Sequence, residues 1–201
     1  MELILLLCPI LSFFGIALLV ILSVIAYAVW SKHAQEASWK ILASRIGLAY
    51  EPGGFFSRPS LVGEFQNHRV KLDVHSHTTG YKSASSSFPY TRIRFELQNQ
   101  TNLALTIQEK HRMPLLTKAG VPIGDPAVDS RFSIHSIPPE LAIQIFNSTN
   151  LRQEILSARS FDLELSGIEL RFEERGIDKD SDYLIWLLRL LYEVVIFIEN
   201  R

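Results

Sequence analysis

From Leu3 to Trp30 the chain carries no charged side chain. No other feature restricts its folding as strongly, because a helix built from such a run is apolar on every side and must be taken out of water all round. A bilayer core takes about 20 apolar residues as helix. Pro9 fits only near a helix start, since its ring and missing N–H break the ladder further in. Ile10 to Trp30 spans 21 residues. That is about 31 Å at about 1.5 Å per residue, against a hydrocarbon core of about 30 Å. Tyr27 and Trp30 stand at the far end, where amphipathic rings favour the interface, and Lys32 follows them. Residues 1–31 are therefore expected to form a transmembrane anchor.

A cleaved signal peptide is the competing reading, and Ala26-Tyr27-Ala28 resembles its small-x-small site. Two features oppose it. Glu2 precedes the apolar run with no Lys or Arg, and the run is about twice the length of a signal core. Flanking cations then orient the anchor. None precedes it, and Lys32, Lys40 and Arg45 follow it. The positive-inside rule places the remainder of the chain in the cytoplasm, as the soluble part of a single-pass membrane protein.

After the anchor, Ala34 to Leu48 has helical spacing, with Trp39, Ile41, Leu42, Ile46 and Leu48 recurring between Lys40, Ser44 and Arg45. It forms a juxtamembrane helix within 32–50, ended by Glu51-Pro52-Gly53-Gly54. In the domain that follows, 51–201, the period falls to two. Val70, Leu72 and Val74 alternate with Lys71, Asp73, His75 and His77, as in a strand with one buried face. Ile93, Phe95 and Leu97 repeat the pattern, as do Leu103, Leu105 and Ile107, and Phe161, Leu163 and Leu165. A Ser-rich loop spans Thr78–Pro89, and Ser166-Gly167 marks a tight hairpin. Helices are expected from an opening at Pro138-Pro139-Glu140 to about Asn147, from Leu151 to Ala158, and from Ser181 to Glu199. The last of these is apolar round most of its circumference and, at 16 mostly apolar residues, is too short to span a membrane. The expected fold class is α+β: an N-terminal transmembrane helix, then a mostly antiparallel sheet covered on one face by helices.

Two clusters carry the candidate chemistry. Asp73, His75 and His77 are two apart on a strand, so their side chains share a face, and carboxylate with imidazole suits a divalent metal. The competing account is a solvated sheet face, with Arg92 or Arg94 pairing with Asp73. Asp125, Asp129 and Arg131 lie in Gly124-Asp125-Pro126-x-x-Asp129-Ser130-Arg131-Phe132. Two acids beside an arginine could hold a cation or substrate. Turn chemistry accounts for them as well, with Arg131 locking the loop by pairing with Asp125 or Asp129. His111 in a loop and outward-facing His135 form no constellation with them.

One cysteine, Cys8, rules out an internal disulfide and a cysteine-based zinc site. With 20 basic and 21 acidic residues and no basic run, no nucleic-acid partner is expected. No Gly-rich phosphate loop or Gly-x-Ser-x-Gly elbow occurs, and no cofactor is expected. The strings Trp39–Leu48, Gly124–Phe132 and Pro138–Leu156 together resemble a family of uncharacterised bacterial membrane-anchored proteins, with Val128 standing where that family has Phe. The resemblance implies no particular activity. The leading expectation is a non-enzymatic binding or scaffolding domain at the membrane surface, with the lipid bilayer, another membrane protein or a second copy as partner. The alternatives are a membrane-tethered enzyme or metal-binding domain, and an oligomeric assembly factor acting through the C-terminal helix.

Overall fold

Alternating burial along the strands builds one eight-stranded sheet, ordered β1-β2-β3-β4-β8-β7-β5-β6, in which every pairing is antiparallel. The computed structural model describes residues 2–54, 58–79, 86–110 and 120–201. Part of the Ser-rich loop, residues 80–85, and His111 lie outside the described residues. The strands are β1 (Ala49–Glu51), β2 (Ser60–Phe65), β3 (His68–Thr79), β4 (Ser86–Glu96), β5 (Ala104–Glu109), β6 (Phe132–Ile137), β7 (Asp162–Ser166) and β8 (Glu169–Arg175). Among the described residues five helices accompany them: α1 (Glu2–Ile46), α2 (Pro126–Arg131), α3 (Pro139–Asn147), α4 (Thr149–Ser157) and α5 (Ser181–Glu199).

One face of the sheet carries the apolar residues of each strand, among them Leu72, Ile93, Phe95, Ile107, Leu165 and Phe172, all buried. The α5 helix supplies the largest block of the covering layer, burying Leu184, Leu187, Leu188, Leu191, Val194 and Val195. Its start is set by Asp180, whose carboxylate accepts the Tyr183 N–H at 3.1 Å. Its far end is clamped by His68. The buried imidazole lies 2.8 Å from Glu199 Oε2, and Glu199 Oε1 accepts the Gln98 N–H at 2.7 Å. The β2–β3 turn carries positive φ at both central residues, Gln66 (53°) and Asn67 (65°), the twist that a two-residue hairpin needs.

The expected transmembrane helix is corrected: among the described residues, no helix is long and apolar enough to cross a membrane. The anchor and the juxtamembrane helix are not separate elements. They form one 45-residue helix, α1, with no break between residues 31 and 32. Its exposed apolar side chains are described from Ile16 to Trp30. Past Trp30 the same helix carries Glu36, Lys40 and Arg45 and buries Trp39, Leu42 and Ala43 in the domain.

Candidate functional site

The helix-free face of the sheet collects its ionisable residues. Alternation turns Arg69, Lys71, Asp73, His75 and His77 of β3 to this side, with Arg92 and Arg94 of β4 and Arg171 and Glu173 of β8. Asp73 lies directly opposite Arg92, which donates to it through Nε at 2.8 Å and Nη2 at 2.9 Å, while Arg94 Nη2 donates at 3.0 Å. Burial pushes the Asp73 carboxyl up. The Arg92 hydrogen bond and the charges of Arg92, Arg94 and Lys71 outweigh it and hold the group below the usual carboxylate range.

His75 and His77 stand edge to face, 4.9 Å between ring centres, and His77 meets Tyr90 at 4.6 Å. His77 Nε2 is 2.6 Å from Glu173 Oε2. Desolvation, then the nearby Arg92 and His77, lower the His75 pKa and favour its neutral form. Asp73, His75 and His77 thus share a face, while Asp73 is turned to arginines and His77 to Glu173. Among the described residues, no group of three or more His, Cys, Asp or Glu has metal-holding geometry.

Lys71, Arg94 and Arg171 lie in one cross-strand row over β3, β4 and β8. Like charges directly opposite one another are unfavourable. Acids offset them: Asp73 and Glu169, on adjoining rows, beside Arg94, and Glu164, on the same row, with Glu173, on an adjoining one, beside Arg171. At the β2 side of this face is a cleft of about 470 Å³, lined by Val62, Glu64, Arg69, Lys71, Arg94 and Ile168 among others. Sequence alternation locates these charges on one face. Their pairing needs the register of strands distant in sequence, which periodicity does not carry.

The second expected cluster is divided by the fold. Asp125 caps α2, accepting the Ala127 N–H at 2.9 Å, and pairs with Arg152 of α4. That arginine hydrogen bond is the main reason its carboxyl lies below the usual range. Asp129 accepts the N–H groups of Ile123 and Gly124, both at 2.9 Å, and so closes the turn before α2. Arg131 turns instead to Glu109 at the end of β5, donating from Nε at 3.1 Å and Nη2 at 2.8 Å. It also donates to the carbonyls of Leu156 at 2.5 Å and Ala158 at 2.7 Å, where α4 ends. The three side chains therefore point to three different partners.

A junction that periodicity does not show ties α1 to the domain. Trp39 Nε1 donates to the Asp178 carbonyl at 3.0 Å, and the Asp178 N–H donates to Thr91 Oγ1 at 2.8 Å. Ser38 donates to the Lys179 carbonyl, and Arg45 pairs with Asp182. Arg159 pairs with Asp178 at 3.1 Å and Asp180 at 2.6 Å, and its guanidinium lies 4.0 Å from the centre of the Tyr183 ring. Desolvation, then the nearby Glu174, raises the Tyr183 pKa, so the phenol stays protonated.

These features define a class: an α+β domain with a single antiparallel sheet, helices on one face, a charged opposite face, and a long N-terminal helix docked at one end. A solved structure shares this architecture. The chain is similar to the crystal structure of the mycobacterial trehalose monomycolate transport factor A, TtfA, with a TM-score of 0.53 and 11% sequence identity, over 81% of this chain and 95% of that one. At that identity the likeness shows the fold. No protein-family model and no curated protein matches the chain.

Proposed function

We propose that the protein is a membrane-associated binding domain with a lipid-related role, held at a lipid surface by the apolar section of α1. One observation carries this reading. Ile16, Leu19, Val20, Ile21, Leu22 and Val24 are each more than half exposed. At about 100° per residue they occupy every side of the helix, so one protein groove cannot cover them and an apolar medium can. Tyr27 and Trp30 follow, with rings 6.2 Å apart, at the end where the helix turns polar. The fold shared with TtfA, a mycobacterial trehalose monomycolate transport factor, adds support for a lipid-related role.

The test is flotation of the full chain with phosphatidylcholine vesicles on a density gradient. The protein rises with the vesicles, and Leu19→Lys combined with Leu22→Lys keeps it at the bottom. A chain that fails to float, or a double variant that floats equally well, defeats the reading.

A further inference from the structure

Two contacts fix how α1 runs over the sheet. Leu48 sits against Gly63, where a Cβ would meet its side chain at 3.0 Å, and Gly63 pairs with Val70 of β3. Trp39 reaches Thr91 through Asp178, and Thr91 pairs with Val74 of β3. Val70 to Val74 covers about 13 Å at about 3.3 Å per residue. Trp39 to Ile46, the end of α1, covers about 10 Å at about 1.5 Å per residue, and Gly47 leads on to Leu48. The end of α1 therefore crosses obliquely from the β4 side toward β2, running over this stretch against the chain direction of β3. Following α1 back toward its apolar section leads the same way as following β3 toward its hairpin.

Beyond the Trp39 level, α1 needs about 13 Å to reach Trp30. Beyond the Val74 level, β3 extends about 17 Å to Thr79, and β4 returns from Ser86 beside it. The hairpin end thus reaches the level at which α1 becomes apolar. Of the rings on that end, Tyr90 is amphipathic, a type favoured at membrane interfaces, and Phe88 is apolar. His77 pairs with Phe88 across the strands, Tyr90 packs against His77, and the Arg175 guanidinium lies 4.2 Å from the centre of the Phe88 ring. Ser87 is exposed beside them.

We propose that the β3–β4 hairpin end, with His77, Phe88, Tyr90 and Arg175, is a second lipid contact that meets the phospholipid headgroup layer when α1 is in lipid. This rests on the membrane-associated reading above and adds the orientation of the domain. The helix and the hairpin then act as two points of support. The opposite end of the sheet, where exposed Ile137 pairs with Ala104, is held away from the surface.

The experiment uses the full chain with Cys8→Ser, which removes the single cysteine. An environment-sensitive fluorophore is placed at Ser87→Cys in one sample and at Ile137→Cys in another. Phosphatidylcholine vesicles carry a headgroup nitroxide, and a parallel set carries brominated chains that quench tryptophan. The expected result is a blue shift and at least twofold quenching at residue 87, no change at residue 137, and quenching of tryptophan emission that a Trp30→Phe control abolishes, Trp39 and Trp186 being the other emitters. An unchanged label at 87 with quenched Trp30 overturns the hairpin contact and leaves the α1 reading standing. Equal quenching at both labels also overturns it, because the domain then lies flat. Unquenched tryptophan removes the membrane reading and the hairpin contact with it.

Discussion

Replacing Arg131 with alanine tests the claim that the Gly124–Phe132 string serves structure. The guanidinium is one-quarter exposed, and the Glu109 side chain that it meets is almost fully buried. Removing one partner of a buried pair costs about 3–5 kcal/mol, because the remaining group loses a charge that offset its desolvation. The partial exposure of Arg131 lowers that figure. The two carbonyls at the end of α4 lose their donor as well, at about 1 kcal/mol each. The sum stays near 3 kcal/mol once solvent screening of the pair is counted. That is a large share of a domain stability of about 5–15 kcal/mol. Urea unfolding of the full chain in mild detergent, followed by near-ultraviolet circular dichroism, reads the change. At a slope of about 2 kcal/mol per molar, the midpoint falls by about 1.5 M. Arg131→Lys restores charge without the planar fork and recovers only part of it. A cycle with Glu109→Gln isolates the pair, with an expected coupling of at least about 1 kcal/mol. A loss below about 0.5 kcal/mol, the ordinary surface range, refutes the structural role. So does strict additivity in the cycle.

The Asp73 carboxyl has its pKa lowered in the folded state, so its stabilisation is complete above the ordinary carboxylate range and disappears as pH falls through the lower folded value. Asp73→Asn should therefore flatten the acid limb of the stability profile below about pH 4; an unchanged limb counts against the Arg92 and Arg94 pairing. Gly120→Ala places a Cβ 2.7 Å from both the N and the O of Ile134, at the point where Val121 N–H bonds to the Ile134 carbonyl. Backbone must move, and a loss of about 1–3 kcal/mol in thermal or urea unfolding is expected. Unaltered stability would show that this segment does not lie against β6 in solution.

The amino-acid sequence by itself determined the elements whose character is local. Alternation put Asp73, His75 and His77 on the polar side of β3 because a strand has only two faces and one is needed for the core. Asp180 and the run that follows it marked α5 from Ser181 to Glu199, and the structure has those ends. Tertiary structure decided what depends on pairing between distant segments. Strand β4 joins β8 and leaves its sequence neighbour β5 between β7 and β6, which no period discloses. Arg131 passes over the nearby acids for Glu109, because the end of β5 and the end of α4 are brought together only when the sheet is assembled. The uncharged run was legible at once as a helix needing an apolar environment. Its continuation into one helix that docks through Trp39 on Asp178 was not. Hydropathy records what each residue avoids, and only the packed domain supplies the partner it finds.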